Sequence, residues 1–305
     1  MAMRKISFVL LFVCVALMSF KAGVEYQRGD VNQDGMVNIA DVTCLVDYLL
    51  TGEWPEGPEE PAEPVDETFT VNGVTFKMIG VKCGSFMMGA GAEQGTDATS
   101  SELPVHQVTL TKNFSIGETE VTQALWLAVM GSNPSYFGPG NGYAIDLRRP
   151  VESVNYYDCQ EFISRLNDLT GRTFRLLTEA EWEYAARGGL YSRGYKFAGS
   201  DNIDDVAWYN GNSNSVPQPV GTKVPNELGL YDMSGNINEW VEDWYGPYPE
   251  EAQVDPICTE GSIPYRVVRG GSTGGTPKYS RVSYRAVNMP ESANLIVGLR
   301  LALNP

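Results

Sequence analysis

Histidine and cysteine are both scarce in this chain of 305 residues. The single histidine, His106, excludes any metal site that needs two or more imidazole ligands. It lies in an alternating, strand-like run, where we expect a structural role. The five cysteines are scattered and include no C-x-x-C pair, so neither a zinc knot nor a disulfide framework is expected. Cys159 has the spacing of a helix's apolar face and is expected to pack in the core.

Basic residues are few as well. The chain has 22 Lys and Arg against 38 Asp and Glu, a formal net charge of -16, and no basic cluster that would bind nucleic acid. Glycine and proline are abundant, at 32 and 18 residues, which predicts many turns and little long helix. The length allows one large domain and a small appendage. We therefore expect a loop-rich α+β protein.

The N-terminus has the pattern of an export signal. Arg4 and Lys5 precede an apolar run from Ile6 to Phe20, which is short for a membrane span of ~20 residues. Residues 1–22 are therefore predicted to be a signal peptide, and the protein to be secreted or held at the cell surface. Cys14 lies inside the apolar run, which leaves both a soluble product and an uncleaved anchor open.

Residues 23–52 contain a loop typical of calcium binding, from Asp30 to Asp41. Alternate oxygen donors converge on a hard cation, and Gly35 permits the sharp turn. Because the last ligand is Asp rather than Glu, this EF-hand-like helix module resembles a dockerin repeat, which implies a possible cohesin partner. Dockerins carry two repeats and this chain has one, so cohesin docking stays open, as does an Asx-rich turn that caps a helix. The donors are Asp30, Asn32, Asp34, the carbonyl of Met36, Asn38 and Asp41.

Residues 53–67 are rich in Pro and Glu and predict a linker before a main domain at 68–305. Helix-capping patterns in this domain predict three helices, from Thr122 to Gly131, from Asn155 to Gly171, and from Thr178, which forms a capping box with Glu181, to Gly188. Apolar runs predict strands at Val74–Phe76, Val105–Leu110 and Leu299–Leu303.

Eight segments in a fixed order carry a family resemblance. They are CGSFMMG (83–89), LPVHQVTL (103–110), GETEVTQALW (117–126), PVESVNYYDCQEFISRLN (150–167), RLLTEAEWEYAARGG (175–189), NELGLYDMSGNINEW (226–240), VVRGGS (267–272) and GLRLAL (298–303). Residues 69–304 thereby resemble the formylglycine-generating enzyme, or sulfatase-modifying factor, family. The resemblance implies a C-type-lectin-like fold.

The resemblance also implies a structural calcium in the segment GLYDMSGNINEW. Its oxygen donors here are Asp232, Asn236, the carbonyl of Ile237, and Glu239. A turn capped by side chains is the alternative. Asn238 stands where the family usually has an aromatic residue, so the local packing is expected to differ.

The family's oxidase activity requires a cysteine pair shortly after RGGS, because thiolates bind copper(I) and the substrate thiol. No cysteine follows Ser272, and the expected positions fall near Gly275 and Ser280. We therefore expect no copper and no formylglycine formation, and name no catalytic residue. A different enzymatic activity stays open, although a serine triad would require His106 as its base.

Some proteins with this fold are variable proteins of diversity-generating retroelements, which replace adenines in AAC codons. In the tail, constant-looking segments that include Arg269, Gly271, Arg285 and Arg300 alternate with patternless residues reachable from AAC. We expect 273–280 and 286–297 to be exposed, and GLRLAL to form a central strand. The predicted contacts to a protein or glycan ligand are Thr273, Gly274, Gly275, Thr276, Tyr279, Ser280, Ala286, Val287, Asn288, Asn294 and Leu295.

The sequence thus favours a secreted, calcium-stabilised binding protein. The alternatives are ordinary surface loops in the tail, an enzyme of the same family with another activity, and a dockerin-type scaffold component.

Overall fold

The computed structural model describes residues 63–304 and, before them, only Val46, an exposed helical residue. The chain divides into two units, Met1–Ala62 and Glu63–Pro305. The predicted signal peptide, the calcium loop from Asp30 to Asp41 and most of the linker therefore lie outside the described residues.

Three helices begin and end where the capping patterns predict. Helix α1 (Gln123–Met130) is capped by the Thr122 hydroxyl, and a left-handed Gly131 ends it. Helix α2 (Tyr156–Thr170) has a capping box between Asn155 and Asp158, and helix α3 (Glu179–Ala186) has one between Thr178 and Glu181. A fourth short helix, α4, spans Ile203–Val206. In the described residues no helix is long and apolar enough to cross a membrane.

In residues 63–304, twelve short strands form three sheets. The strands are β1 (Glu67–Val71), β2 (Val74–Val81), β3 (Gly84–Met88), β4 (His106–Leu110), β5 (Phe114–Gly117), β6 (Phe174–Arg175), β7 (Asn238–Trp244), β8 (Gln253–Val254), β9 (Arg266–Arg269), β10 (Ala286–Asn288), β11 (Val297–Leu299) and β12 (Ala302–Leu303). A five-stranded sheet has the order β1-β2-β5-β12-β6, a four-stranded sheet β10-β9-β7-β11, and a three-stranded sheet β3-β4-β8. All pairings are antiparallel except β11 with β7 and β4 with β8.

The core is built from the apolar faces of α2 and α3 packed against the sheets. Trp126 stacks on Phe162 with ring centroids 4.8 Å apart. Cys159 is fully buried, as predicted, and so is His106, which packs against Tyr248. A second buried apolar cluster joins Trp182 and Tyr184 of α3 to side chains of β2, β4, β5 and β7.

Two expectations need correction. GLRLAL is not one central strand: the chain breaks at Arg300, so that β11 lies at an edge of the four-stranded sheet and β12 lies between β5 and β6. Arg300 and Leu301 separate the two strands, and the guanidinium of Arg300 pairs with the buried carboxylate of Glu239. The predicted linker also ends earlier than residue 67, because Asp66 pairs with Lys77 and Glu67 opens β1.

Candidate functional site

Four buried arginines hold the C-terminal part of the chain in place. We call these arginines and their glutamate partners the arginine frame. Glu179 and Glu183 lie on α3, Glu239 lies on β7, and Glu102 lies in a one-turn 3-10 helix at Ser100–Glu102. Each pair therefore joins the tail to an earlier element. The pairs are Arg269 with Glu183, Arg281 with Glu102, Arg285 with Glu179, and Arg300 with Glu239.

Electrostatics favours the ionised form of two of these carboxylates, Glu179 and Glu102. Burial alone would raise the pKa of Glu179, but the guanidinium groups of Arg285 and Arg269 outweigh it, and the pKa is lowered. The pKa of Glu102 is likewise lowered, because Arg281 and the Ser283 hydroxyl offset its burial. The prediction that Arg269, Gly271, Arg285 and Arg300 belong to a supporting structure is confirmed by their burial.

Between these arginines the chain reaches the surface in two loops, 273–280 and 286–296, which we call the tail surface. Thr273 and Ser280 are fully buried, so the expectation that they are exposed is wrong. It is also wrong for Pro290 and for Val297 in β11. Exposed members of the predicted set are Gly274, Thr276, Tyr279, Val287, Asn294 and Leu295, while Gly275, Ala286 and Asn288 are half-buried.

Thr273 and Ser280 are buried for different reasons. Thr273 is held on both sides, because its N–H donates to the carbonyl of Asn236 at 2.9 Å and its carbonyl accepts from the Ser213 hydroxyl at 3.1 Å. Ser280 ends the 3-10 turn Pro277–Ser280 and is folded against Gly271, where a Cβ atom would lie 2.8 Å from its hydroxyl. Neither side chain is available to a ligand.

Backbone hydrogen bonds attach the tail surface to the rest of the domain. The carbonyl of Gly275 accepts from the N–H of Asn210 at 3.0 Å, and the carbonyl of Asn294 accepts from the N–H of Ser153 at 3.0 Å. The carbonyl of Pro290 accepts from an N–H of α2 at 2.9 Å. Because these bonds use main-chain atoms, they do not depend on which side chains the loops carry. The loop at residues 209–216, which holds Asn210, was missed by sequence reasoning, although its Asn, Gly and Ser content is typical of a surface loop.

The segment of the implied calcium site is engaged by protein donors. Both oxygens of Glu239 accept from Arg300, and one also accepts from the Trp182 indole at 2.6 Å. The side-chain oxygen of Asn236 accepts a backbone N–H at 2.9 Å. The Oδ1 atom of Asp232 is buried without a hydrogen-bond partner, and burial raises the pKa of this carboxyl to about 6.

A further carboxylate, Glu120, completes this cluster. Its oxygens accept from the side-chain amide of Asn236 at 2.8 Å and the N–H of Ile237 at 3.2 Å. Burial, with the negative charges of Asp232 and Glu239, raises the pKa of Glu120 well above its usual range. Sequence reasoning missed Glu120, because it lies more than a hundred positions before its neighbours.

These donors do not fit the calcium site that the resemblance implies. Among the side-chain oxygens of the implied site, only Oδ1 of Asp232 accepts no hydrogen bond from the protein. Among residues 63–304 no three His, Cys, Asp or Glu side chains are grouped so as to hold a metal ion. Arg300 supplies the positive charge at this position instead.

The positions expected for the catalytic cysteines are occupied by Gly275 and Ser280, and neither can supply a thiolate. Gly275 takes part in the loop through its backbone N–H and carbonyl, and the Ser280 hydroxyl is buried without a partner. Of the cysteines in the described chain, Cys258 lies in the loop before β9, and burial raises the pKa of its thiol. A raised pKa disfavours the thiolate that binds copper.

A cavity of about 470 Å³ lies elsewhere, lined by β2, the segment Gly117–Thr122 and Tyr231 among others. No residue of the tail surface lines it.

The three short sheets, the loops and the buried arginine frame define a C-type-lectin-like domain. Residues 65–305 match the model of the sulfatase-modifying factor enzyme 1-like domain, and the chain belongs to that family. The formylglycine-generating enzyme of Streptomyces coelicolor is 31% identical over 72% of this chain and 86% of its own. The inactive Cα-formylglycine-generating enzyme 2 of Bos taurus is 29% identical over 83% of this chain and 92% of its own. The chain spans 48% of the length of another relative, the serine/threonine-protein kinase pkn1 of Chlamydia pneumoniae.

Among solved structures, the fold is similar to Treponema denticola variable protein 1, with a TM-score of 0.71 and 34% identity over 79% of this chain and all of that one. PvdO of Pseudomonas aeruginosa has a TM-score of 0.67 and 28% identity over 79% of this chain and 99% of its own. The similarity to the variable protein bears out the resemblance on which the tail surface was predicted.

Proposed function

We propose that the protein is an exported binding protein whose ligand, a protein or a glycan, contacts the tail surface. The observation that carries this proposal is the contrast between exposed side chains in two loops and the buried arginines on either side of each loop. Binding residues commonly lie on loops that a rigid scaffold positions. The similarity to Treponema denticola variable protein 1 supports loops whose side chains can vary.

The test is a ligand screen with the purified protein on a glycan array and a panel of purified extracellular proteins. Each hit is repeated with a loop variant in which Thr276, Tyr279, Val287, Asn294 and Leu295 are all changed to serine. We expect the variant to keep its melting temperature and to stop binding the ligands found in the screen. Retention of every hit by the folded loop variant would show that binding lies elsewhere.

We further propose that the domain does not make formylglycine, because no cysteine follows Ser272. The protein is incubated with copper, oxygen and a sulfatase-type cysteine peptide, and the peptide is analysed by mass spectrometry. We expect the peptide mass to stay unchanged, with a cysteine-containing family enzyme as the positive control. Appearance of the aldehyde would restore the oxidase alternative.

The N-terminal calcium loop and export remain proposals that rest on the sequence. Ligand carboxylates repel one another without the ion, so calcium should induce helix in a peptide of residues 25–55. Titration calorimetry and circular dichroism measure this, and Asp34→Ala provides the control. A cohesin pull-down tests docking separately.

A further inference from the structure

Resting on the proposed function, we propose that the contact surface extends beyond the tail onto the loop at residues 133–147, and that its partner is a folded protein. The 133–147 loop follows α1 and carries three aromatic residues, Tyr136, Phe137 and Tyr143. We call it the aromatic loop.

A chain of short contacts joins the aromatic loop to the tail surface. The buried carboxylate of Glu152 accepts the N–H of Phe137 at 3.0 Å and the hydroxyl of Ser153 at 2.7 Å. The N–H of Ser153 in turn donates to the carbonyl of Asn294 at 3.0 Å. Glu152 therefore fixes the aromatic loop beside the tail loop at 286–296.

The two tail loops also adjoin each other and the loop at residues 209–216. A Cβ atom placed on Gly274 would lie 3.9 Å from Cγ2 of Ile296, so the two tail loops adjoin. The next residue, Gly275, is hydrogen-bonded to Asn210 of the loop at 209–216. Four loops thus form one surface, with the tail in the middle.

The aromatic loop presents ring area at the edge of this surface. Tyr136 is 39% exposed and Tyr143 is half-buried, while Phe137 is buried beneath them. Phe137 packs edge-on against both tyrosines, with ring centroids 5.3 and 4.9 Å apart. This mutual packing holds the tyrosines in place, which lowers the entropy that they lose when a partner binds.

Composition favours a protein as the partner. In a chain with a net charge of -16, these four loops contain only Asp146, Lys278 and Glu291 as charged residues. Tyr, Asn, Ser and Gly make up about half of their positions, the same residue types that predominate in antibody contact loops. The aromatic rings meet edge to face, so their planes do not form the single flat platform on which sugar rings stack. A broad, nearly neutral surface with fixed tyrosines is suited to another folded protein.

The experiment displays the chain on phage with Thr276, Tyr279, Val287, Asn288, Asn294 and Leu295 randomised, and selects in parallel on hen egg-white lysozyme and on biotinylated chitohexaose. About ten independent lysozyme binders are then remade with Tyr136→Ala plus Tyr143→Ala. We expect their Kd to rise at least ~10-fold, as for tyrosines that become buried in a protein interface.

Two further variants exclude a folding effect. Tyr136→Phe plus Tyr143→Phe keeps the rings and should keep most of the affinity. Tyr191→Ala removes an exposed tyrosine at a turn that packs against β3 and should change nothing.

The remaining outcomes overturn separate claims. Lysozyme binders whose Kd is unchanged by the alanine pair refute the extended surface and leave the tail surface standing. Binders on chitohexaose alone refute the protein partner. No binders on either target would count against the proposed function itself.

Discussion

The tail of the domain contains two regions that alternate along the chain and differ in almost every physical property. The arginine frame is buried, charged and held by side chains. The tail surface is mostly exposed, nearly uncharged and attached through its backbone. Replacement of a buried guanidinium is strongly destabilising, because its partner carboxylate is left uncompensated. A solvated loop side chain with a main-chain attachment tolerates many. Stability and variability can therefore lie a few residues apart.

Removal of an arginine from the frame should have the largest effect. Arg281→Met leaves Glu102 buried opposite an apolar side chain and is expected to cost about 3–5 kcal/mol in the free energy of unfolding. Urea denaturation of the purified protein measures it. Arg148→Met, which removes an exposed ion pair with Asp146, is the matched control and should cost less than ~1 kcal/mol. If both variants lost the same free energy of unfolding, the buried ion pairs of the frame would be no more stabilising than an exposed pair.

Buried positions inside the loops should come next. Thr273→Tyr and Ser280→Tyr force a large ring into packed space and are each expected to cost about 2 kcal/mol or more, whereas Thr276→Tyr should be nearly neutral. Thermal unfolding of the three variants compares them directly. If all three variants had the same melting temperature, the assignment of Thr273 and Ser280 to the interior would be wrong.

A buried carboxyl beside the arginine frame, that of Asp243, should also make stability depend on pH. Burial and the negative charge of Glu179 raise the pKa of Asp243 to about 7, well above its value in the unfolded chain. A raised carboxyl pKa means that the folded protein binds the proton more tightly, so this group's contribution falls as pH rises from about 4 to about 7. The slope is at most about 1.4 kcal/mol per pH unit.

Asp243→Asn provides the test of this pH dependence. Asp243 accepts the N–H groups of Glu179 and Cys258 at 2.7 and 2.8 Å, and the amide oxygen can retain at least one of these bonds. Urea unfolding of both proteins at several pH values should give a flatter pH profile for the variant. An unchanged profile would assign the dependence to Asp232 or Glu120, whose pKa values are also raised.

The smallest effect is expected from the loops themselves. Serine at Thr276, Tyr279, Val287, Asn294 and Leu295 together should shift the melting temperature by no more than about 3 °C, since each position is exposed. Differential scanning calorimetry measures the shift. A fall of ten degrees or more would show that these side chains support the fold.

Local patterns predicted much of this fold and little of its side-chain pairing. The caps at Thr122, Asn155 and Thr178 act within four residues, so the helix starts could be read directly. The burial of Thr273 depends on Asn236 and Ser213, which are distant in sequence. The pairing of Glu239 with Arg300 is likewise non-local, and it is the reason that a calcium expectation based on the resemblance did not match the donors present.

The position of β12 has a consequence for how the chain is made. This strand follows every other described strand in sequence, yet it lies between β5 and β6, and β6 has no other partner in the sheet. A nascent chain that has emerged only as far as the tail surface still has a divided sheet with two open edges. Closure of the domain must therefore wait until Leu303 has left the ribosome. The five-stranded sheet is therefore expected to become continuous in one late step, which joins β6 to the strands that precede it.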